Sequence, residues 1–310
     1  MSMKEEPTMK TTNAIVKSFL DYQTAILGHS QNTADGYDAD LEVLAAVLAG
    51  NRNTAPENLT AAGFGSATLE ELYAYMAAGK TGSLSPAARC RRASSARSFY
   101  RWMVKRGMIQ TDPSAALETP KKQKSLPHYL TEDQCYDLLR KCGDGKTGIR
   151  DRAILTLFLS CGLRVSELCA LNLRDLGEDY VRVIGKGNKE RVVYFAGTCR
   201  KALDKWLNVR EAPEGEDADA LFVSNYRARI SVRSVQAMVD RRLEDAGLDS
   251  SLYSPHKLRH TAATLMLKSG VDTRVLQEVL GHASLNTTQI YTHVDSLALR
   301  SAALANPIGA

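Results

Sequence analysis

The stretch that most constrains the fold of this chain spans residues 254–294, where helix signals alternate with charged side chains. It opens with Ser254-Pro255, a pair typical of a helix start, because serine caps the first turn and proline fits the first helical position. A helix is predicted from there to Ser269-Gly270. His256 and Arg259, three residues apart, fall on one face of its first turns. Because a helix N-terminus presents unpaired N–H groups, phosphate is a natural ligand there.

The second half of this stretch predicts two more helices. One runs from 273 to 280 and is ended by Gly281, with His282 in the break. Ser284 can cap a further helix that carries Tyr291. Tyr291 follows His282 by nine positions, enough for a turn and two helical turns that bring the tyrosine back near the histidine. Two histidines, an arginine and a tyrosine at these spacings suit chemistry on a phosphodiester.

Composition excludes several classes of protein. The chain has 310 residues, enough for two domains, and its apolar content of 44% supports ordinary cores. No apolar run approaches the roughly 20 residues of a membrane span, and residues 1–10 lack the apolar core of a signal peptide, so neither a membrane partner nor export is expected. Six cysteines without a CxxC pair indicate reduced thiols in a cytosolic protein. With no P-loop, GxGxxG or paired acidic cluster, no metal or other cofactor is expected.

The net charge of +5 is mild, so its distribution matters more than the total. A helix is predicted from Ser85-Pro86 to about Lys105, and Phe99, Trp102 and Met103 form an apolar stripe on it that must face a core. The candidate DNA-binding side chains on this helix are Arg89, Arg91, Arg92, Arg97 and Arg101, with no acid among them. Surface helices usually interleave charges of both signs, so contact with nucleic acid is favoured over the alternative, a solvated basic face.

A basic, proline-bounded segment follows this helix and is predicted to be an interdomain linker. Its lysines, Lys121, Lys122 and Lys124, are further candidates for contact with a phosphate backbone. Two domains joined by such a linker could close on DNA as a clamp.

The remaining patterns predict mainly helices. Upstream, helices are predicted at 14–27, 32–48 and 69–78, with a loop at 51–67. Downstream, helices are predicted at 131–142, 150–159, 165–173, 197–209 and 232–246, a β-hairpin at 179–195 with lysines in its turn, and a third short strand at 221–223. The apolar run in the tail, 297–310, is too short to fold alone, so it must dock on its own domain or on a neighbour.

Five motifs in this chain resemble those of the tyrosine recombinases, the phage-integrase family, and most of all its Xer-like branch. They are GLRVSEL at 162–168, GKGNKER at 185–191, HKLRH at 256–260, LGHAS at 280–284 and Tyr291 in TTQIYTHV. NTADGYDADL at 32–41 and RSFYRWMV at 97–104 also resemble the core-binding domain of that family, so the likeness covers nearly the whole chain.

The resemblance implies which residues hold the scissile phosphate. Arg164 and Arg259 would bind its non-bridging oxygens, and His282 would hydrogen-bond to it. Glu167 matches the acidic position that supports the first arginine. The chemistry agrees, because planar guanidiniums make bidentate contacts with the negative oxygens of a pentavalent transition state.

It also implies which residues move protons and attack. Tyr291 would be the nucleophile and form a 3′-phosphotyrosyl link, and His256 would act as general acid or base beside it. Lys186 would protonate the leaving 5′-oxygen, with Lys189 in the same turn as the alternative. A tyrosine hydroxyl with a pKa near ~10 needs such help to act as a nucleophile at neutral pH.

The resemblance further implies the architecture and the assembly. We expect a mainly α chain with a small β-sheet: a disordered tail at 1–10, a helical SAM-like core-DNA-binding domain at 11–118, a basic linker at 119–129, and an α+β catalytic domain of the DNA breaking–rejoining fold at 130–310 with a C-terminal docking tail. The expected partner is a double-stranded recombination site, bound in the cytoplasm by four protomers on two sites through a Holliday junction. A related recombinase could supply some of these protomers.

Two alternatives to site-specific recombination remain open. One is relaxation of supercoiled DNA in the manner of a type IB topoisomerase, and the other is a catalytically silent DNA-binding accessory protein. The target sequence and the biological role, whether dimer resolution, a mobile element or an invertase, are not specified by these motifs.

Overall fold

The computed structural model describes residues 12–79, 84–120, 128–185, 189–213, 215–281 and 296–309. The chain divides into unit 1, Met1–Ser125, and unit 2, Leu126–Ala310. The tail predicted at 1–10 and most of the predicted linker, residues 121–127, lie outside the described residues. Within the described ranges, no helix combines the length and the apolar character needed to cross a membrane.

All regular secondary structure in the described part of unit 1 is helical. Its helices are α1 Ala14–Asp21, α2 Gln31–Asn51, α3 Ala61–Gly65, α4 Leu69–Ala77 and α5 Pro86–Lys105. A π-helical turn, Tyr22–Ile26, continues α1, and a 3-10 turn, Pro56–Asn58, precedes α3. The prediction of a loop at 51–67 is wrong at α3, where Thr60 caps the helix by accepting a hydrogen bond from the backbone N–H of Gly63 and Phe64 is fully buried.

The core of unit 1 is aromatic and confirms the predicted apolar stripe of α5. Phe99 and Met103 are fully buried, and Trp102 is 5% exposed. The ring of Phe99 makes edge-on contacts with Phe19 and Phe64, with centroid separations of 5.4 Å and 5.1 Å. Edge-to-face pairs of this kind add to the stabilisation from burial alone. Because this stripe faces inward, the exposed arginines of α5, Arg91 and Arg101, lie on its other faces.

Unit 2 combines helices with one antiparallel hairpin. Its elements are α6 Glu132–Arg140, α7 Lys146–Cys161, α8 Val165–Ala170, β1 Tyr180–Ile184, β2 Glu190–Tyr194, α9 Gly197–Val209, α10 Val232–Asp245, α11 Pro255–Lys268, α12 Thr273–Leu280 and α13 Ser296–Ala305. In the hairpin, Tyr180 pairs with Tyr194 and Ile184 with Glu190. The prediction of a mainly α chain with a small β-sheet is confirmed.

The third strand predicted at 221–223 is wrong. Val223 makes only an isolated bridge with Arg229, and the carbonyl of Leu221 accepts a hydrogen bond of 2.9 Å from the indole N–H of Trp206. Leu221, Phe222 and Val223 are all buried, so this run lacks the alternation of a strand with one exposed face. Continuous burial explains its apolar composition without a sheet.

Helix α7 runs through the centre of unit 2, and its end determines the position of the turn that leads to Arg164. It is buried on nearly all sides, and α9 and α11 pack against it. It ends at Gly162, whose φ of +60° is the left-handed conformation that favours glycine. A Cβ at Gly162 would lie 2.8 Å from Cδ2 of Leu280, so the turn that leads to Arg164 requires glycine for space as well as conformation.

The C-terminal tail docks on its own unit, one of the two outcomes predicted for it. Helix α13 packs against α12 and β2, and Ile308 is fully buried. Asn306 is also fully buried, and its Nδ2 donates hydrogen bonds of 3.0 Å and 3.1 Å to the carbonyls of Leu159 and Ser160. These carbonyls belong to the last turn of α7, where helix carbonyls have no partner within the helix. Asn306 therefore caps α7 from a distant part of the chain.

Replacing Asn306 with alanine should leave both carbonyls buried without a donor. We expect the free energy of unfolding of unit 2 to fall by about 2–6 kcal/mol, because each of the two buried unsatisfied groups costs roughly 1–3 kcal/mol. Urea unfolding would be followed by the fluorescence of Trp206 in a Trp102→Phe background, which leaves one tryptophan of two. Ser301→Ala, on the exposed side of α13, is the matched control, and equal loss in both variants would contradict the capping role.

Candidate active site

The centre of the site is the carboxylate of Glu167 on α8, with a side chain that is 3% exposed. Its Oε1 accepts hydrogen bonds from Nη1 of Arg164 at 2.7 Å and from Nη1 of Arg191 at 2.8 Å. Its Oε2 accepts from the backbone N–H of Arg164 and from Nη2 of Arg191, both at 2.9 Å. Nη1 of Arg259 lies 4.0 Å from the same Oε2. One buried carboxylate thus holds three guanidiniums together.

Local structure brings these residues to one point. Arg164 is the N-cap of α8, and Glu167 is the third residue of that helix, so their contact is a short-range capping arrangement. Arg259 lies in the first turns of α11, where Ser254 caps the helix as predicted by accepting from the N–H of Lys257. Arg191 is the second residue of β2. Three sequence motifs far apart in the chain therefore meet at Glu167.

The same arginines bind the C-terminal end of α12. Nε of Arg191 donates to the carbonyl of Val279 at 3.2 Å, Nη2 of Arg259 donates to that of Leu280, and Nη2 of Arg164 donates to that of Gly281 at 2.9 Å. The carboxyl end of a helix carries partial negative charge, so cations stabilise it. Three consecutive carbonyls of this helix end are thus each bound by a different arginine, immediately before position 282.

Burial and charge shift the pKa values of the cluster. Burial raises the pKa of the Glu167 carboxyl, but hydrogen bonds from Arg191 and Arg164 lower it by more, so it lies below its ordinary value. Burial, followed by the charge of Arg164, lowers the pKa of Arg259 to about 10, so Arg259 stays protonated at neutral pH. Three guanidiniums and one carboxylate leave a surplus of two positive charges. The cluster is therefore built to receive an anion.

The two histidines of α11 have different surroundings. His256 is exposed and lies on the first turn of the helix, three residues before Arg259. His260 is half-buried, and burial together with the charges of Lys257 and His256 lowers its pKa. His256 is thus open to solvent on the helix that carries one of the clustered arginines.

The structure brings together three of the predicted site residues, Arg164, Arg259 and Glu167. Lys186, His282 and Tyr291 lie outside the described residues, as do the linker lysines Lys121, Lys122 and Lys124. Sequence analysis missed Arg191 as a partner of Glu167. Its position as the last residue of GKGNKER was visible, but strand pairing alone does not reveal that its side chain turns toward a helix on another part of the unit.

The structure separates the five candidate arginines of α5, and it corrects the prediction for Arg92. This side chain is 11% exposed, and its Nη1 donates to the carbonyls of Tyr75, at 2.7 Å, and Ala78. Arg92 therefore holds α4 against α5 within unit 1 and is not free to contact DNA. Its burial was hidden in the sequence because a charge run does not indicate which member faces inward.

The other four arginines remain accessible to different degrees. Arg101 and Arg91 are exposed, and Arg89 and Arg97 are half-buried. Arg91 pairs with the buried carboxylate of Asp40 on α2 at 2.8 Å. The absence of acids within α5 is therefore partly compensated by an acid from another helix. Arg97 and Arg101 line a cleft of about 520 Å³ together with Tyr22, Tyr37 and Trp102.

Solved structures of integrases and recombinases are similar to this chain in fold. A lambda integrase (75–356) dimer bound to a COC′ core site matches 89% of this chain and 99% of its own, with a TM-score of 0.64 and 21% identity. The XerH site-specific recombinase bound to difH substrate matches 97% of each chain, with a TM-score of 0.62 and 24% identity. At these identities the likeness establishes only that this chain shares its fold with the integrase and the recombinase.

Sequence comparison identifies the family. A model described as the phage integrase family matches residues 128–297. Tyrosine recombinase XerC of Caldanaerobacter subterraneus subsp. tengcongensis is 42% identical over 307 residues, covering 95% of this chain and 87% of the relative. Tyrosine recombinase XerC of Corynebacterium efficiens is 40% identical over 305 residues, covering 97% and 93%. The chain belongs to the phage integrase family and is a tyrosine recombinase, an enzyme of site-specific DNA recombination.

These findings confirm the predicted resemblance, including its Xer-like character, and the predicted function. They lend no support to a relaxing topoisomerase or to a catalytically silent accessory protein. The roles of individual residues are not tested by them and stay predictions.

Replacing Glu167 with glutamine should leave three arginines without their shared counter-charge. We expect the free energy of unfolding of unit 2 at neutral pH to fall by roughly 3–5 kcal/mol, the usual cost of breaking a buried ion pair. Because the pKa of Glu167 is lowered on folding, its contribution is present at neutral pH and is lost as the pH falls through the folded-state pKa, which lies below the unfolded value of about 4.3.

The difference between wild type and Glu167→Gln should therefore narrow on acidification. Urea unfolding of unit 2 at neutral pH and at about pH 3 measures it. Glu178→Gln is the control, since Glu178 is exposed. A difference that stayed constant across this range would show that the carboxylate charge is not what holds the cluster.

Proposed function

We propose that the arginine cluster around Glu167 binds the scissile phosphate of a DNA recombination site and stabilises the transition state of its cleavage. The observation that carries this proposal is the surplus of two positive charges at one buried point. A phosphodiester carries one negative charge, and attack by a phenolate adds a second in the pentavalent transition state. The cluster therefore offers its best electrostatic match to the transition state, which is the condition for catalysis.

The proposed reaction transfers the scissile phosphoryl group from a DNA oxygen to the hydroxyl of Tyr291. Oη of Tyr291 attacks the phosphorus, a phosphorus–Oη bond forms, and the bond from phosphorus to the 5′-oxygen breaks. His256 accepts the phenolic proton, and Lys186, or Lys189 in its place, gives a proton to the leaving 5′-oxygen. The reverse attack by a 5′-hydroxyl of the partner strand releases Tyr291 and rejoins the DNA. The covalent link conserves the bond energy between the two steps.

Arg164 and Arg259 would contribute differently to this reaction. The side chain of Arg164 is 36% exposed, whereas that of Arg259 is 7% exposed. Arg164 can therefore reach a phosphate at the surface, while Arg259 acts from a desolvated position where its charge is least screened. Each donates two side-chain hydrogen bonds within the protein, and a guanidinium carries five N–H donors, so both keep N–H groups for phosphate oxygens.

We further propose that four protomers act on two sites in the cytoplasm and exchange strands through a Holliday junction, either as four copies of this chain or together with a related recombinase. Membership of the family supports this assembly. A docking role for the tail between protomers stays a prediction, since in this structure the tail is seated on its own unit. The absence of a cofactor also stays a prediction.

Covalent trapping tests the nucleophile. The protein would be mixed, without divalent metal, with duplexes from DNA flanking its gene that carry a nick beside the cleavage site, so that the released fragment diffuses away. Wild type should form an SDS-resistant complex, and Tyr291→Phe should form none. Tyr226→Phe removes a tyrosine that is 93% exposed in the same unit and should trap like wild type. A complex that persisted in Tyr291→Phe would contradict the assignment of the nucleophile.

The arginines of α5 can be tested by the salt dependence of DNA binding. Arg101→Gln should weaken duplex binding and reduce the slope of log affinity against log salt by about 0.9, the contribution of one phosphate contact. Arg92→Gln should leave the slope unchanged but lower the stability of unit 1, because Arg92 bonds to backbone carbonyls of α4 and its C-cap. Equal slope changes in two folded variants would contradict this division of roles.

A further inference from the structure

We propose that Arg191 is a positioning residue for strand cleavage: it occupies the inner side of Glu167 so that Arg164 is held facing the phosphate. This inference rests on the proposed function of the arginine cluster. Arg191 lies on β2, and neither the motif analysis nor the proposed reaction gives it a role. It is one of the three arginines bound to Glu167, and its side chain is 15% exposed, between buried Arg259 and half-exposed Arg164.

The first argument is the saturation of Glu167. A carboxylate offers about four acceptor positions, and here four N–H groups use them, two from Arg164 and two from Arg191. The bond from Nη1 of Arg164 leaves its Nη2 to point elsewhere, at present toward the carbonyl of Gly281. Without Arg191, Glu167 would have two open acceptor positions, and Arg164 could turn inward and pair with both oxygens. Arg191 therefore prevents the carboxylate from competing with a phosphate for Arg164.

The second argument is that the contacts of Arg191 require both the forked donors and the flat shape of a guanidinium. Two parallel bonds reach Glu167, and Nε reaches the carbonyl of Val279. A Cβ added to Gly281, which has a φ of +63°, would lie 3.0 Å from Cζ, Nε and Nη1 of Arg191, so the flat guanidinium packs closely beside this glycine. A lysine has neither the fork nor the plane, so it cannot make these contacts at once.

The third argument is the connectivity. Arg191 joins the hairpin strand β2, the residue Glu167 on α8, and the end of α12. These are the elements that carry the GKGNKER, GLRVSEL and LGHAS motifs. One side chain thus fixes the mutual distance of three elements whose other residues are proposed to act on one phosphate. A displacement of about 1 Å at such a site can cost roughly 100-fold in rate.

The experiment compares Arg191→Gln and Arg191→Lys with Arg182→Gln. Arg182 lies on β1 of the same hairpin, pairs with Val192 and is exposed, so it is a matched control for the loss of one arginine. The covalent trapping substrate is used at saturating protein, which separates the rate of cleavage from the affinity for DNA. Thermal unfolding and DNA binding are measured on the same samples.

We expect both Arg191 variants to form the covalent complex about 30–100-fold more slowly than wild type, with DNA affinity changed by less than about threefold. Arg182→Gln should match wild type. A second substrate has a methylphosphonate at the cleavage position, which removes the negative charge that Arg164 must meet. On this substrate the loss caused by Arg191→Lys should shrink to within about threefold, because the orientation of Arg164 no longer matters as much.

Three results would overturn the inference. Normal cleavage by Arg191→Lys would show that the fork is not needed. An equal loss on both substrates, together with a lower unfolding temperature, would show that Arg191 only stabilises the unit. A failure of wild type to form any covalent complex would instead remove the proposed function, and this inference with it. If wild type and Arg182→Gln form the covalent complex, the proposed function stands and only the inference about Arg191 can fail. If neither forms it, the proposed function itself fails.

Discussion

One buried negative charge organises the functional end of this recombinase. Three guanidiniums lie within 4.0 Å of the carboxylate of Glu167, and this negative charge offsets the repulsion between them. Burial alone would raise the pKa of this carboxylate, and the hydrogen bonds from Arg191 and Arg164 hold it below its ordinary value. A net positive charge remains, because one carboxylate does not neutralise three guanidiniums.

The position of this charge depends on how α7 ends. Gly162 turns the chain in a left-handed conformation, so that Arg164 becomes the N-cap of α8 and Glu167 faces back toward it. The carbonyl of Gly162 also accepts from Nη1 of Arg259. A residue that carries no side chain thus serves two arginines through its backbone. The packing of α7 in the core therefore determines the geometry of a site that its own side chains do not enter.

Much of this architecture could be predicted from local sequence. Ser85-Pro86 and Ser254-Pro255 marked helix starts correctly, and Gly162 and Gly281 marked helix ends, because capping and left-handed glycine depend on adjacent residues only. The pairing of Arg164 with Glu167 was also accessible, since three residues separate them at the start of a helix. Family resemblance supplied the link between Arg164 and Arg259.

What could not be predicted depends on contacts between distant residues. Arg92 and Arg101 are equivalent in a charge run, and only the packing of α4 against α5 decides that Arg92 bonds inward. Leu221, Phe222 and Val223 have strand composition, yet the indole of Trp206 binds the backbone where a neighbouring strand would. Arg191 meets Glu167 across 24 positions and Val279 across 88, separations at which a single sequence carries no pairing signal.

The cap that Asn306 places on α7 also has a consequence for the order of folding. The two partners of its bond to Leu159 are 147 positions apart, so this contact cannot form until long after the central helix has been synthesised. Unit 1 draws its core from residues 16–117 and can fold while unit 2 is still being made, since domains generally fold as units during synthesis. Unit 2 must wait for a late segment before its central helix is complete. We therefore expect the two units of this enzyme to fold at different times, with helical unit 1 folded before the arginine cluster of unit 2 has its finished support.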